Sequence, residues 1–296
     1  MGLGNDDLIK LEENILTLYI SDLDGTLLNS EQVVSEYSVR IVNKLIALGI
    51  KFTVATARSY EASKNILKPL NLNLPIILNN GSFIYDPSLN KNIRENYLDK
   101  SIVEFILRHY SLKKISPFVS GIDLNGNKKI FYKGIFNEGQ RIYINSRKRQ
   151  EDKRLTMVKD FSKIGEYNII NIFAIEKGNE LDYSYRLFKN TIDATCHYTE
   201  EIYSKGFFWL EVTNSYANKK SAAEFLKDYL KINELICFGD NLNDKPLFEL
   251  ADERYAVENA YKPLKDIATG IIPSNDKDGV AKFLYHKYKN FTTKLK

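Results

Sequence analysis

Four segments of this sequence combine acidic, hydroxyl and amino side chains with glycine in spacings that can do chemistry. They are Asp22-Leu-Asp-Gly-Thr26, Thr56-Ala-Arg58, Lys219, and Gly239-Asp-Asn-Leu-Asn-Asp244. Asp22, Asp24 and Asp240 packed together would repel one another unless a cation joined them. Carboxylates and carbonyl oxygens without histidine or thiolate favour a hard ion, and Mg²⁺ is the natural guest. Mg²⁺ keeps positions for water and phosphate, so the chemistry that fits is phosphoryl transfer. One carboxylate can attack phosphorus and form an aspartyl-phosphate, dividing the reaction into two easier steps. A second, two residues on, can protonate the leaving oxygen and then activate water. Thr56 offers a hydroxyl and a nearby backbone N–H to phosphate oxygens, and Lys219 offsets the negative charge of the transferring group.

Such groups must be positioned, and the local patterns show by what. Ile15–Ser21 is a short apolar run that stops at a carboxylate and a glycine, as a buried strand does. A helix follows, with Ser35 as N-cap, Val39, Val42, Leu45 and Ile46 on one face, and Gly49 as stop signal. Strand Ile50–Ala55, helix Ser59–Leu67 and strand Ile76–Leu78 continue the rhythm of a parallel sheet with crossover helices. The rhythm breaks after Tyr85-Asp-Pro87. A helix near Ser101–His109, two strands around Asn125-Gly-Asn127, strand Ile169–Ile175 and helix Glu180–Lys189 read as an α+β insert. The parallel pattern resumes with helix Ser221–Leu230, strand Leu235–Phe238, helix Asp244–Leu250, strand Tyr255–Val257 and a closing helix. Ligands of such sheets bind at the carboxyl ends of the strands, where all four segments fall. Four acidic side chains, two hydroxyls and a lysine are expected to converge on one edge.

These segments, in this order, resemble the four motifs of the haloacid dehalogenase-like (HAD) hydrolases. The late insert, with Tyr85-Asp-Pro before it, is similar to the C2-type (IIB) cap of the Cof-type phosphatases. So are Leu247-Phe-Glu-Leu-Ala-Asp252, Val257-Glu-Asn-Ala260, Lys265 and Asp278-Gly-Val280. The resemblance spans about Thr17 to Leu284. It implies an α/β fold: a Rossmann-like parallel-sheet core (HAD fold) over 1–84 and 213–296, and an inserted α+β cap (C2B type) over 85–212 that sets specificity. It further implies Asp22 as nucleophile and Asp24 as acid/base. Mg²⁺ would be held by Asp22, the backbone carbonyl of Asp24, and Asp240, with Asp244 assisting directly or through water. Thr56, Lys219 and Asn243 would bind phosphate. Two positions depart from the usual pattern. Ala57 stands where glycine is common. Asn218-Lys219-Lys220 replaces Ser-Lys-Gly, so Lys220 competes with Lys219, which is preferred for its position relative to Glu211-Val212. The reaction expected is Mg²⁺-dependent hydrolysis of a small phosphorylated metabolite, with sugar phosphates the leading class and a phosphomutase the nearest alternative.

Composition sets the limits. The chain has 296 residues, roughly twice the commonest domain size, and a net charge of +4. Two cysteines in no CxxC spacing and three scattered histidines exclude a zinc ribbon, a dithiol centre and a histidine-rich metal site. No stretch reaches the roughly 18–20 apolar residues of a membrane span, and Met1–Asn14 lacks a signal-peptide pattern, so a cytoplasmic location is the expectation. Gly2-Leu-Gly4 precedes its strand and lacks a third glycine, so it is no dinucleotide fingerprint. Residues 127–154 hold nine Lys/Arg against three acids, with Phe131, Tyr132, Phe136 and Tyr143 interleaved. That segment raises a non-catalytic nucleic-acid-binding module as the alternative of a different class. A solvated basic cap surface is the simpler account, and a site of aspartates and lysine argues against a pure binding module.

Overall fold

The computed structural model describes residues 16–149, 151–200 and 205–292, so Met1–Asn14, Gly2-Leu-Gly4 and Ile15 lie outside the described residues. The chain divides into two compact units: residues up to Glu95 together with Asn218 onward, and Asn96–Ala217. The first begins with β1 (Thr17–Ser21), α1 (Glu36–Ala47), β2 (Lys51–Val54), α2 (Tyr60–Leu67), β3 (Ile76–Leu78), β4 (Phe83–Asp86) and β5 (Lys91–Glu95). The second holds α3 (Lys100–Leu112), β6 (Phe118–Ile122), β7 (Lys128–Tyr132), α4 (Glu138–Arg149) and β8 (Leu155–Met157). It continues with β9 (Asn168–Lys177), α5 (Gly178–Thr191), β10 (Ala194–Glu200) and β11 (Phe207–Asn214). The first unit then resumes with α6 (Lys219–Leu230), β12 (Glu234–Gly239), α7 (Lys245–Leu250), β13 (Glu253–Val257), α8 (Lys262–Lys265), β14 (Gly270–Ile272) and α9 (Gly279–Thr292).

A five-stranded parallel sheet in the order β14-β13-β12-β1-β2 carries the first unit. Its centre is β1 beside β12, with Tyr19 opposite Ile236 and Ile20 opposite Cys237. Both strands are covered on both faces, which is why they read as unbroken apolar runs. Helix α1 starts where the Ser35 hydroxyl accepts from the Ser38 N–H (3.0 Å), and it buries Ile41, Val42, Leu45 and Ile46. The closing segment is stitched to the start of the unit. Asp278 accepts from the hydroxyls of Ser35 and Ser38, and Asp276 accepts from the Ser30 N–H and hydroxyl, each at 2.7 Å.

One strand departs from expectation. β3 meets the parallel layer only through a bridge between Ala55 and Ile77, and its full ladder is antiparallel, with β4. β4 in turn pairs with β5, forming a three-stranded sheet. The division between the units therefore falls later than the 84/85 and 212/213 boundaries read from the sequence. The β4–β5 ladder keeps 85–95 with the first unit. Strand β11, which runs to Asn214 beside β9 and β10, keeps 213–217 with the second.

The second unit is a six-stranded sheet in the order β10-β11-β9-β6-β7-β8. On one face Val119, Ile172, Leu210 and Val212 cluster with Ile106 and Tyr110 of α3 and Leu181 and Phe188 of α5. On the other, Ile144 of α4 joins Phe118, Ile130, Phe173 and Ile175. The turn at Asn125-Gly-Asn127 joins β6 and β7, with Gly126 at φ +83° and the Asp123 carboxylate accepting from the N–H groups of Asn125 and Asn127. Several cations of the basic segment have local partners. Arg141 pairs with Glu138, Arg147 and Arg154 with Asp152, and Lys133 lies over the Phe161 ring. Among the described residues, no helix is long and apolar enough to cross a membrane.

Candidate active site

Strand β1 ends at Asp22, whose N–H still donates to the Phe238 carbonyl (3.0 Å), so the side chain stands at the carboxyl edge of the sheet. Gly25 follows at φ +77°, a conformation open to glycine at no steric cost. That turn brings Thr26 back toward β12, where its hydroxyl donates to Asp240 Oδ1 (3.2 Å). It also packs the Gly25 backbone against Asp240: a Cβ there would lie 2.6 Å from Asp240 Oδ2. Gly25→Ala should therefore displace Asp240 and lower kcat/KM by about a hundredfold in a chain that still folds, which kinetics beside circular dichroism will check.

Helix α6 begins where the Asn218 side chain accepts from the Ser221 N–H (2.8 Å). Its first residue, Lys219, is buried, and Nζ donates to Asp22 Oδ1 (2.5 Å) and Asp244 Oδ1 (2.6 Å). Of the two adjacent lysines, Lys219 is the one that reaches the carboxylates. Asp244 is held from the other side, Oδ2 accepting from the N–H groups of Asp240 (3.0 Å) and Asn241 (3.2 Å). Oxygens of Asp22, Asp240 and Asp244 lie within 4.8 Å of one another.

The electrostatics follow from burial. Three carboxylates face one ammonium, leaving two negative charges without a counter-charge at a largely desolvated site. Burial pushes the Asp22 carboxyl well above its usual range; Lys219 pulls it back, while Asp244 and Asp240 push it further. Asp240 is pushed up to about 6, chiefly by burial and then by Asp244. Burial works against the charged form of Lys219, yet Asp22 and Asp244 outweigh it and raise its affinity for the proton. The donor set is all oxygen, it is close-packed, and it is two charges short of balance. It fits a divalent hard cation.

Asp24 does not join this group, so the expected convergence of four acidic side chains reduces to three. After Gly25 turns the chain, the Asp24 side chain is 48% exposed and gripped by Arg58, Nε to Oδ2 at 2.8 Å and Nη2 to Oδ1 at 2.5 Å. Arg58 Nη2 also donates to Gln32 Oε1 (3.2 Å). Thr56 is buried; its hydroxyl accepts from the Arg58 N–H (3.0 Å), and its own N–H donates to the Ile77 carbonyl (2.9 Å). The backbone donor of Thr56 itself is thus spent on the sheet. Asn243 lies one residue before Asp244 and donates from Nδ2 to Asn80 Oδ1 (3.2 Å).

Sequence reasoning missed the contacts that orient these groups: Thr26 to Asp240, Arg58 to Asp24, and Asn259 Nδ2 to the Gly25 carbonyl (2.7 Å). Only the Asn241/Asp244 cap carried a local signal, an Asn followed three residues later by an acid.

Residues 19–284 match the family model of the haloacid dehalogenase-like hydrolases. The chain belongs to that family, as a phosphatase of its Cof type. It is 27% identical over 283 residues to a 5-amino-6-(5-phospho-D-ribitylamino)uracil phosphatase of Bacillus subtilis, across 89% of this chain and 95% of that one. Among solved structures, a HAD-superfamily phosphatase from Bacteroides thetaiotaomicron superposes with a TM-score of 0.74 at 18% identity, covering 92% of this chain and 95% of that one. A HAD subclass IIB sugar phosphatase superposes with a TM-score of 0.67 at 16% identity, covering 92% and 98%. At those identities the likeness is one of fold.

Proposed function

We propose that this phosphatase hydrolyses small phosphorylated metabolites in the cytoplasm, with sugar phosphates the leading class, in two steps through a phosphorylated Asp22. The observation that carries the reading is Lys219, held between Asp22 and Asp244 inside a buried group that is short of positive charge. In the first step an Asp22 oxygen attacks phosphorus and the bond to the leaving oxygen breaks, Asp24 supplying the proton that this oxygen takes up. In the second, Asp24 takes a proton from water, the water oxygen attacks phosphorus, and the Asp22–phosphorus bond breaks to release inorganic phosphate. Lys219 offsets the charge on Asp22 and the phosphoryl oxygens, while Thr56 and Asn243 hydrogen-bond those oxygens. Arg58 grips the Asp24 carboxylate in the free chain; before the first step Asp24 leaves Arg58 and takes up a proton from solvent, which it then passes to the leaving oxygen. Asp22, the Asp24 carbonyl and Asp240, with Asp244 behind them, would hold Mg²⁺, which supplies charge neutralisation for the phosphoryl group. We assign specificity to the 96–217 unit; the sugar phosphatase named among the structural neighbours supports sugar phosphates as the class.

A Mg²⁺-supplemented screen of phosphorylated metabolites, with Asp22→Ala as blank, tests the substrate class. Turnover of sugar phosphates above other esters supports it; a flat profile, or activity surviving in the blank, counts against it. Chelation by EDTA should remove activity and Mg²⁺ restore it. Asp240→Asn should raise the Mg²⁺ concentration for half-maximal activity by about tenfold or more, read from a metal titration.

A further inference from the structure

The loop after β3 has a feature that the two-step reaction leaves unused. Asn79, Asn80 and Gly81 take φ of +49°, +52° and +101° in succession. Left-handed backbone is disfavoured for any residue with a Cβ, asparagine tolerating it best, so two in succession call for support from their surroundings. They have it. The Asn79 N–H donates to the Arg58 carbonyl (3.0 Å) and the Asn80 N–H to the Thr56 carbonyl (2.9 Å). Gly81 lies against the backbone of Asn218, where a Cβ would come within 2.3 Å of the carbonyl oxygen. The loop is thus wedged between the Thr56 segment and the start of α6, and it presents one side chain to the fourth motif: Asn80 Oδ1 accepts from Asn243 Nδ2.

We propose that Asn80 is a positioning residue for phosphate recognition, its carboxamide fixing that of Asn243 so that the remaining amide N–H is directed at a phosphate oxygen. The inference rests on the phosphatase reading and on Asn243 as a phosphate-binding group. An amide nitrogen carries two N–H bonds in a fixed plane, so spending one on Asn80 sets the direction of the other. Without Asn80 the Asn243 side chain would rotate freely and pay its ordering cost at each binding event. Because the left-handed turn is anchored to Thr56 and Asn218, the three phosphate-contacting segments share one rigid reference.

The test is a double-mutant cycle on the full chain with Mg²⁺, using 4-nitrophenyl phosphate as substrate and inorganic phosphate as competitive inhibitor. Asn80→Gly deletes the carboxamide while suiting the left-handed backbone, and Asn243→Ala leaves the turn untouched. Each is expected to raise KM and the inhibition constant for phosphate about tenfold, with a much smaller change in kcat and an unchanged melting temperature. The double variant should be no worse than Asn243→Ala alone. Wild-type constants in Asn80→Gly, losses that multiply in the double variant, or a change in melting temperature alone would overturn the proposal. A wild-type chain that hydrolyses no phosphate ester removes the phosphatase reading and this inference together. An active wild type with an unperturbed Asn80→Gly removes the inference alone.

Discussion

Asp22→Asn is expected to lower kcat for phosphate-ester hydrolysis by about 10⁴-fold or more while the chain remains folded. The substitution changes the side chain's shape very little, and the amide oxygen can still accept from Lys219. It removes the proposed nucleophile, since an amide oxygen cannot carry the phosphoryl group as a hydrolysable acyl phosphate. Its effect on stability should run the other way. Burial, Asp244 and Asp240 all push the Asp22 carboxyl upward in the folded chain, so its charge is a burden on the metal-free fold. A group whose folded pKa is raised costs stability progressively as pH rises through its unfolded value. The neutral amide should accordingly melt at the same temperature as the wild type or higher at neutral pH without metal. Stopped activity with a preserved or raised melting temperature is the joint result to look for.

Lys219→Met is expected to cut kcat by about 10³-fold and to destabilise the fold as well. Its Nζ is fully buried between Asp22 and Asp244, whose side chains are 7% and 0% exposed. Removing one partner of a buried ion pair costs about 3–5 kcal/mol, because the charge left behind has neither water nor counter-ion. The loss should depend on pH in a defined sense. With the ammonium gone, Asp22 is held still further above its usual range. Through the ordinary carboxylate range Asp22 stays protonated in both folded chains and costs them equally, so the part of the deficit that Asp22 contributes should grow as pH rises past about 8, where the wild-type carboxyl ionises and the variant's does not. Thermal melts on either side of that pH check the sign. A deficit that shrinks with rising pH would contradict the ion-pair account.

The legibility of this chain divides by sequence distance. The parallel sheet was readable because β1, β2 and β12 are short, doubly buried apolar runs ended by polar residues, and strand ends are where such folds place their chemistry. β3 misled because three apolar residues, Ile76–Leu78, look the same in a parallel layer and in an antiparallel ladder. β5 left no signal: Lys-Asn-Ile-Arg-Glu, exposed or half-buried throughout, lacks the alternation of a packed strand. At the site, the motifs pointed to residues that the fold brings together, Asp22, Asp240, Asp244 and Lys219, while their mutual orientation was not legible. Thr26 and Asp240 are 214 residues apart and Asn80 and Asn243 are 163 apart, so their pairing depends on the folded sheet rather than on local spacing. Arg58 was legible as part of the Thr56 segment, but its grip on Asp24 joins residues 34 apart in sequence and depends on the folded sheet.

The central claim is that the phosphoryl group passes through Asp22. Rapid acid quench of the wild-type chain turning over a radiolabelled phosphate ester, followed by peptide mapping, measures this directly. The account predicts hydroxylamine-labile label on the peptide carrying Asp22, with more of it in Asp24→Asn and none in Asp22→Asn. Rapid turnover with no label on the protein, or label on any other residue, would contradict it.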